Sequence, residues 1–327
     1  MSFFTTPSRL LAGATLALAW QASAHAQAPY PDKPIRLVVP FPPGSGTDIV
    51  GRLLAQEVSN AWNQPVIVDN RPGASTIVGT EIVANSSPDG YTMVMASNNH
   101  TMNPSLFAKK LPFDPQNDFA AVAQVAILPF ILVVNPELPV KNFGELLALA
   151  RRKPHEVTYA STGNGTPPHV AGEMLKRAAN VDLIHIPYKG SAAAVADVVS
   201  GQVSMMFINV PSAISLVRAG KLRALAVGTS KRIDMMQELP TISELGFPGF
   251  DVSLWMGLLV PARTPADIVD KLAQETARIL NEPTMRAKLE EQGAEPAYRS
   301  PAAFSAFIAD ETKRLSQIVN DIKLRVD

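Results

Sequence analysis

Two short stretches of this chain combine glycine, hydroxyl and polar groups at a spacing suited to holding an anion. The first is Pro40-Phe41-Pro42-Pro43-Gly44-Ser45-Gly46-Thr47-Asp48, and the second is Ser161-Thr162-Gly163-Asn164-Gly165-Thr166-Pro167-Pro168-His169. Within them, Gly44–Thr47 and Gly163–Thr166 are two copies of Gly-x-Gly-Thr. Each copy follows a short apolar run, Ile35–Val39 in one case and Val157–Ala160 in the other. After the first, Ile49, Val50, Leu53, Leu54 and Val58 recur at helical spacing; after the second, a helix is predicted over Val170–Ala179. A strand, a glycine turn and a helix start aim backbone N–H groups at an anion, and glycine lets the ligand approach because it has no Cβ. The two copies are expected to face each other across a cleft and grip one small carboxylate.

Other chemistries fit less well. The first turn lacks the Gly-x-x-x-x-Gly-Lys-Ser/Thr of a phosphate loop, and both turns lack the third glycine of a dinucleotide fingerprint. A plain structural turn remains open for either copy alone. Asp48 falls in the first helical turn, where its charge complements the helix dipole; holding a ligand ammonium or accepting hydrogen bonds from loop N–H groups are the alternatives. Ser97, Asn98, Asn99, Thr162, Asn164, Ser191 and Asn209 are uncharged polar residues at expected strand ends. Each could be a cap or an Asx turn, but together they describe a polar, neutral pocket. His100, His169 and His185 are the histidines to test as metal ligands or bases. There is no His-Glu-x-x-His, no Gly-x-Ser-x-Gly and no Cys, so neither an enzyme, a metal nor a cofactor is expected. His169 reads as a donor toward the ligand or a lock on the loop. Trp255 reads first as core, with the cleft wall as the alternative.

The elements that must position these groups follow from the pattern along the chain. Its 327 residues are 46% hydrophobic with zero formal net charge, enough for two domains of about 150 residues each and with no basic surface for nucleic acid. Residues 1–26 read as a signal peptide: Arg9, a short apolar core Leu10–Trp20, and a small-x-small site Ala24-His25-Ala26. That core is well short of the roughly 20 residues of a membrane span. The absence of Cys fits a large domain exported to a bacterial periplasm. Strands then alternate with helices, which predicts an α/β fold with mostly parallel strands, and both glycine turns lie at carboxyl ends of strands, where such sheets bind ligands. Two long apolar runs, Val122–Asn135 interrupted by Pro129 and Phe250–Val260, are expected to cross between two lobes near 125–130 and 250–256. Lobe one is expected to hold 27–128 and 253–327, and lobe two 129–252, closing by a hinge.

Taken together, the motifs resemble a known family. They are Pro40–Asp48, Asp69-Asn-Arg-Pro-Gly-Ala74, Pro88-Asp-Gly-Tyr-Thr92, Tyr159–Gly165 with His169, Ile186-Pro-Tyr-Lys-Gly-Ser191, Ala219–Val227, Pro240–Gly249 and Trp255. The chain resembles the Bug-type extracytoplasmic receptors, the solute-binding components of tripartite tricarboxylate transporters. The resemblance implies a two-lobed periplasmic-binding-protein (Venus flytrap) fold with two interdomain crossings. It also implies a small carboxylate ligand held mainly by loop backbone groups and bridging waters. The matching positions are Gly44, Ser45, Gly46, Thr47, Asp48, Ser97 and Asn98 in lobe one, and Thr162, Gly163, Asn164, Gly165, His169, Tyr188 and Ser191 in lobe two. Asn209 joins them from its place at a strand end. Ser45 stands where a third glycine is usual, so its hydroxyl is expected to add a ligand contact or narrow the mouth. Ile208 stands where the family often has Asp, which would remove a carboxylate from the cleft edge and favours a simple or aromatic acid. The implied function is periplasmic capture of the carboxylate by a monomer and delivery to membrane transporter subunits. Presentation to a membrane sensor kinase is the alternative, and an exported hydrolase a weaker one.

Overall fold

The computed structural model describes residues 1, 30–107 and 110–324; the expected signal peptide lies outside the described residues apart from Met1. From Pro31 onward the chain forms one contact-connected body. β1 (Ile35–Val39), α1 (Gly46–Trp62), β2 (Val66–Asn70), α2 (Ile77–Ala84), β3 (Thr92–Ser97) and α3 (Asn98–Leu106) come first. β1 pairs in parallel with β2 and β3. Four of its five residues are buried, as a parallel strand covered on both faces requires. α1 turns Val50, Leu54 and Val58 inward at four-residue spacing.

β4 (Phe119–Val134) is a single strand of sixteen residues. Val122–Asn135, expected as a crossing followed by a strand, is therefore one continuous strand through Pro129. The proline does not break it because the ladder changes partners there. Phe119–Pro129 pairs antiparallel with β9 (Ser253–Pro261), and Phe130–Val134 pairs antiparallel with β7 (Met205–Asn209). A residue without an N–H is tolerated at such a point. After β4 come α4 (Phe143–Arg152), β5 (Thr158–Ser161), α5 (Pro167–Ala179), β6 (Ile184–Pro187), α6 (Ser191–Val199), α7 (Val210–Arg218), which follows β7, and β8 (Arg223–Val227). β5 pairs in parallel with β6 and β7, and β8 lies along β4. The chain returns through β9, which sits between β3 and β4, and closes with α8 (Ala266–Asn281), α9 (Pro283–Glu291), β10 (Glu295–Arg299) and α10 (Pro301–Asp321).

The result is a two-lobed α/β architecture with a hydrophobic cluster in each lobe among the described residues. One gathers Val38, Val94, Trp255, Leu259 and Phe304; the other gathers Ile131, Val133, Met206, Ile208 and Val227. A third cluster joins them where α3 and α10 meet α5, through Met102, Leu315, Val319 and Val170. The two crossings come together at Gly228. Its N–H donates to Phe130 O at 2.7 Å, and its carbonyl accepts from Val252 N at 2.8 Å.

Candidate functional site

Six strand-to-helix junctions converge where the lobes meet, all at carboxyl ends of parallel strands, as ligand sites in such sheets are. In the first, Gly44 takes φ 77°, a region open to glycine. Its N–H donates to Asp48 Oδ2 at 2.8 Å. Asp48 is 3% exposed and also accepts from Arg52 Nε at 3.1 Å, Arg52 Nη2 at 3.0 Å and Asn70 Nδ2 at 2.8 Å. Burial pushes its carboxyl up, but the donors from Arg52, Asn70 and Gly44 outweigh it and hold the group below the usual carboxylate range. Ser45 Oγ accepts from Asp48 N at 3.2 Å as the N-cap of α1. Asp48 and Ser45 are thus engaged inside their own turn, Asp48 as its lock and Ser45 as a cap rather than a narrowing of the mouth. Gly46 and Thr47, the first two helical residues, keep N–H groups outside the helix ladder.

The second turn is braced more heavily. Ser161 Oγ accepts from Gly163 N at 3.1 Å and donates to Gly163 O at 3.0 Å. Thr166 Oγ1 donates to the same carbonyl at 2.7 Å. Gly165 N donates to His169 Nδ1 at 3.0 Å, so His169 locks the loop. Gly163 has φ 135° and Gly165 φ 70°. Burial holds the His169 imidazole down to about 4, consistent with Nδ1 as an acceptor. Asn164, expected in the pocket, is exposed at the tip of the turn.

The lobes touch in a crossed pattern. Gly46 lies so close to Asn209 that a Cβ there would stand 2.5 Å from Asn209 Oδ1. A Cβ on Gly190 would stand 3.0 Å from Pro42 Cγ. The second glycine turn meets a third turn instead: Ser75 Oγ donates to Gly165 O at 3.4 Å. The first glycine turn therefore faces the α6 and α7 junctions, while Gly163–Thr166 faces the loop after β2. That loop was missing from the sequence reading as a site element. Its signal was Asp69–Ala74, a motif that carried resemblance without an assigned role. Ala74, Ser75 and Thr76 take φ 44°, 53° and 74° in succession, a conformation costing non-glycine residues about 1–3 kcal/mol each. Asn99 Nδ2 holds Ser75 Oγ at 2.7 Å, and Asn103 Nδ2 holds Ser75 O at 2.9 Å.

Several of the expected site side chains also bond within the fold. Asn98 accepts from Trp255 N at 2.9 Å and donates to Ser253 O at 3.0 Å, so its amide extends the β3–β9 ladder beyond the last strand residue. Ser97 is the N-cap position of α3 with its hydroxyl on Asn99 Oδ1 at 3.4 Å. Tyr188 donates its hydroxyl to Asp197 within α6 at 2.5 Å; burial, then that carboxylate, push the phenol up to about 12. Asn209 Oδ1 caps α7 by accepting from Ser212 N at 3.2 Å. Ser191 opens α6 behind Gly190, which offers no side-chain cap. Thr162 is half-buried and Thr47 buried in their turns. Ile208 is 2% exposed in the lobe-two core, so its side chain does not edge the cleft. Trp255 packs on Phe304 and Phe307 at 5.5 and 5.8 Å, which makes it core.

Residues 50–324 match the family described as "Tripartite tricarboxylate transporter family receptor". The chain belongs to this family. Among solved structures it is similar to Rpa4515 of R. palustris with adipate, at 33% identity and a TM-score of 0.88 over 90% of this chain and 99% of that one. The periplasmic binding protein BugD is 31% identical with a TM-score of 0.85, covering 90% and 99% of the two chains. MatC of Rhodopseudomonas palustris with bound malate is 30% identical with a TM-score of 0.82, covering 89% and 100%. Two of these similar structures hold the carboxylates adipate and malate, the third is of a periplasmic binding protein, and the family is a solute-receptor family of the Bug type. Among the described residues no helix is long and apolar enough to cross a membrane.

Proposed function

We propose that this receptor closes its two lobes on one small carboxylate in the periplasm and delivers it to a tripartite-type membrane transporter. The signal peptide is residues 1–26, lobe one is 27–128 with 253–327, and lobe two is 129–252. The observation that carries the reading is where the negative charge near the turns goes. Asp48 is held by Arg52, Asn70 and Gly44 N, Asp197 accepts from Tyr188, and Glu173 accepts from Tyr159 and Lys176. Helix starts with N–H groups outside the ladder, at Gly46–Thr47 and Ser191–Ala192, then provide a neutral, donor-rich lining. Such a lining favours a carboxylate over a cation. Each hydrogen bond to the charged group is worth about 1.5–3 kcal/mol, and a few of them, less ordering costs, give about −8 kcal/mol, a micromolar dissociation constant.

The bound acids of Rpa4515 and MatC support a carboxylate here. The test is a thermal-shift screen of mono-, di- and tricarboxylates, with native mass spectrometry of the purified protein. One acid should bind at one per chain and stabilise by about 2.7 kcal/mol at a hundredfold excess over Kd. A full panel without a stabilising acid would refute the reading.

A further inference from the structure

Behind the second glycine turn stands a ladder of rings that the binding reading leaves without a role. The His169 ring stacks on the His185 ring with centroids 3.8 Å apart and planes at 11°. His185 stacks in turn on Tyr159 at 4.9 Å and 23°. Helix α5 lies directly on this ladder: a Cβ on Gly172 would fall 2.2 Å from the Tyr159 ring. His185 Nε2 also stands 2.6 Å from Ser161 Oγ.

Counting protons gives that last bond a direction once the Ser161 hydrogen is placed on Gly163 O. A serine hydroxyl has one hydrogen to donate and two lone pairs to accept with. Ser161 donates to Gly163 O and accepts from Gly163 N. Its remaining lone pair therefore takes the Nε2–H of His185. On the neighbouring ring, Nδ1 of His169 accepts from Gly165 N, so that imidazole carries its proton on Nε2. In this arrangement both rings are neutral, His169 with its Nδ1 fixed as an acceptor by Gly165 N–H and His185 with its proton on the nitrogen that faces Ser161.

We infer that His185 is the positioning residue of the Gly163–Gly165 turn, holding its first glycine through Ser161 and its second through the His169 ring. The inference rests on the carboxylate-receptor reading for its purpose, but its geometry is independent of any ligand. His185 sits on β6 and reaches the turn through these two intermediaries. Acid then acts on the turn directly. A proton on His169 Nδ1 removes the acceptor of Gly165 N–H, and two charged rings cannot remain 3.8 Å apart. The charged and titratable groups around the pair are Glu173 and Lys176 on α5 and Tyr159 on β5. Tyr159 OH donates to Glu173 at 2.6 Å and Lys176 Nζ donates to the same oxygen at 2.8 Å, so their charges largely offset each other. The His155–Asp182 pair, 3.9 Å apart, precedes these two strands.

The test is amide exchange at Gly163 and Gly165 in labelled, ligand-free mature protein, with imidazole nitrogen shifts read from pH 7 to 4. His185→Phe keeps a flat ring under His169 but offers Ser161 no donor. Exchange at Gly163 should rise about tenfold while Gly165 is little changed. His185→Gln keeps an N–H donor but removes the ring, and should reverse the pattern. In the unsubstituted protein, protection of Gly165 should fall as His169 takes up its proton. Equal loss at the two glycines and at Met206 and Phe207 of β7 would mean a merely structural role and overturn the inference, as would no change at either glycine. Should both variants fail to fold, the unsubstituted protein decides alone. A His185 without a proton on Nε2 at pH 7, an Nδ1-protonated His169 at pH 7, or Gly165 protection that does not follow the His169 titration overturns the inference. No arm requires a bound acid, so absence of carboxylate binding would leave this result standing by itself.

Discussion

Closure of the lobes has a tight point at Gly46, and filling it should cost affinity. In Gly46→Ala the new Cβ would stand 2.5 Å from Asn209 Oδ1, 2.9 Å from its Cγ and 2.8 Å from Leu128 Cδ2. Asn209 cannot swing aside freely, because its Oδ1 caps α7 at Ser212 N; losing a cap of this kind costs about 1 kcal/mol. Leu128 is fully buried in β4, and forcing it off its rotamer costs about 0.5–1.5 kcal/mol. Only the Asn209 contact crosses the lobes, so the closed state should lose about 1 kcal/mol, roughly a fivefold rise in Kd, while the Leu128 clash strains lobe one itself. Gly46 is the first residue of α1 and does not have a positive φ, so the backbone of lobe one accepts alanine, and helix propensity of up to about 1 kcal/mol offsets the strain at Leu128. Calorimetric titration with the acid found by screening should show the affinity loss, and adding Asn209→Gly should recover part of it. An affinity within about threefold of the unsubstituted protein, or a double variant no better than the single one, would refute the idea that these two junctions close on each other.

Further outcomes follow from individual positions. Gly163→Val places a β-branched residue at φ 135°, at a cost of about 1–3 kcal/mol confined to the turn; binding should be lost while the far-ultraviolet circular dichroism persists, and unchanged affinity would contradict its role. Ala74→Gly relieves a left-handed alanine at φ 44° worth about 1–2 kcal/mol, less about 0.5–1 kcal/mol of glycine entropy; a slightly higher melting temperature is expected, and a lower one counts against strain there. Burial holds His100, His169 and His185 down to about 4. The unfolded chain binds protons near 6.5 that the native chain refuses, so stability is full above that pH and is lost as pH falls toward 4. At pH 5 the loss should be about 2 kcal/mol per independently titrating histidine, read as a lower urea midpoint; an unchanged or higher midpoint at pH 5 than at pH 7 would refute it.

What the sequence disclosed and what it hid divide along physical lines. Apolar periodicity and turn residues marked β1, α1, β5 and α5, because burial on one or both faces leaves a repeating pattern. α3 was not anticipated as a helix, since Asn98, Asn99, His100, Thr101 and Asn103 are polar yet all buried. Their partners are backbone groups of distant segments, such as Ser253 O, Ser75 O and Pro115 O, and no local pattern announces those. β10 was missed because Glu295–Arg299 is a short, half-exposed edge strand without alternation. The two Gly-x-Gly-Thr copies were legible from spacing alone, but their cross-lobe partners were not. Pro42 meeting Gly190, Gly46 meeting Asn209 and Ser75 meeting Gly165 depend on how two lobes register, which is a long-range property.

The same contrast clarifies how the site is built. Sequence reasoning assigned ligand contacts to side chains at strand ends, because uncharged polar groups gathered there. In the structure many of those side chains hold backbone: Ser45 caps α1, Asp48 pins Gly44, Ser161 and His169 pin the two glycines, Asn98 extends a sheet, and Asn209 caps α7. Under the proposed carboxylate reading, a pocket made this way would meet its ligand with main-chain N–H groups whose directions the side chains set, and selection for the acid's charge would reside in the turns. Changing a bracing side chain should therefore move backbone donors together and lower affinity for every acid alike, whereas discrimination among acids should change only at positions where the lobes meet without bracing a turn, such as Pro42 and Gly190.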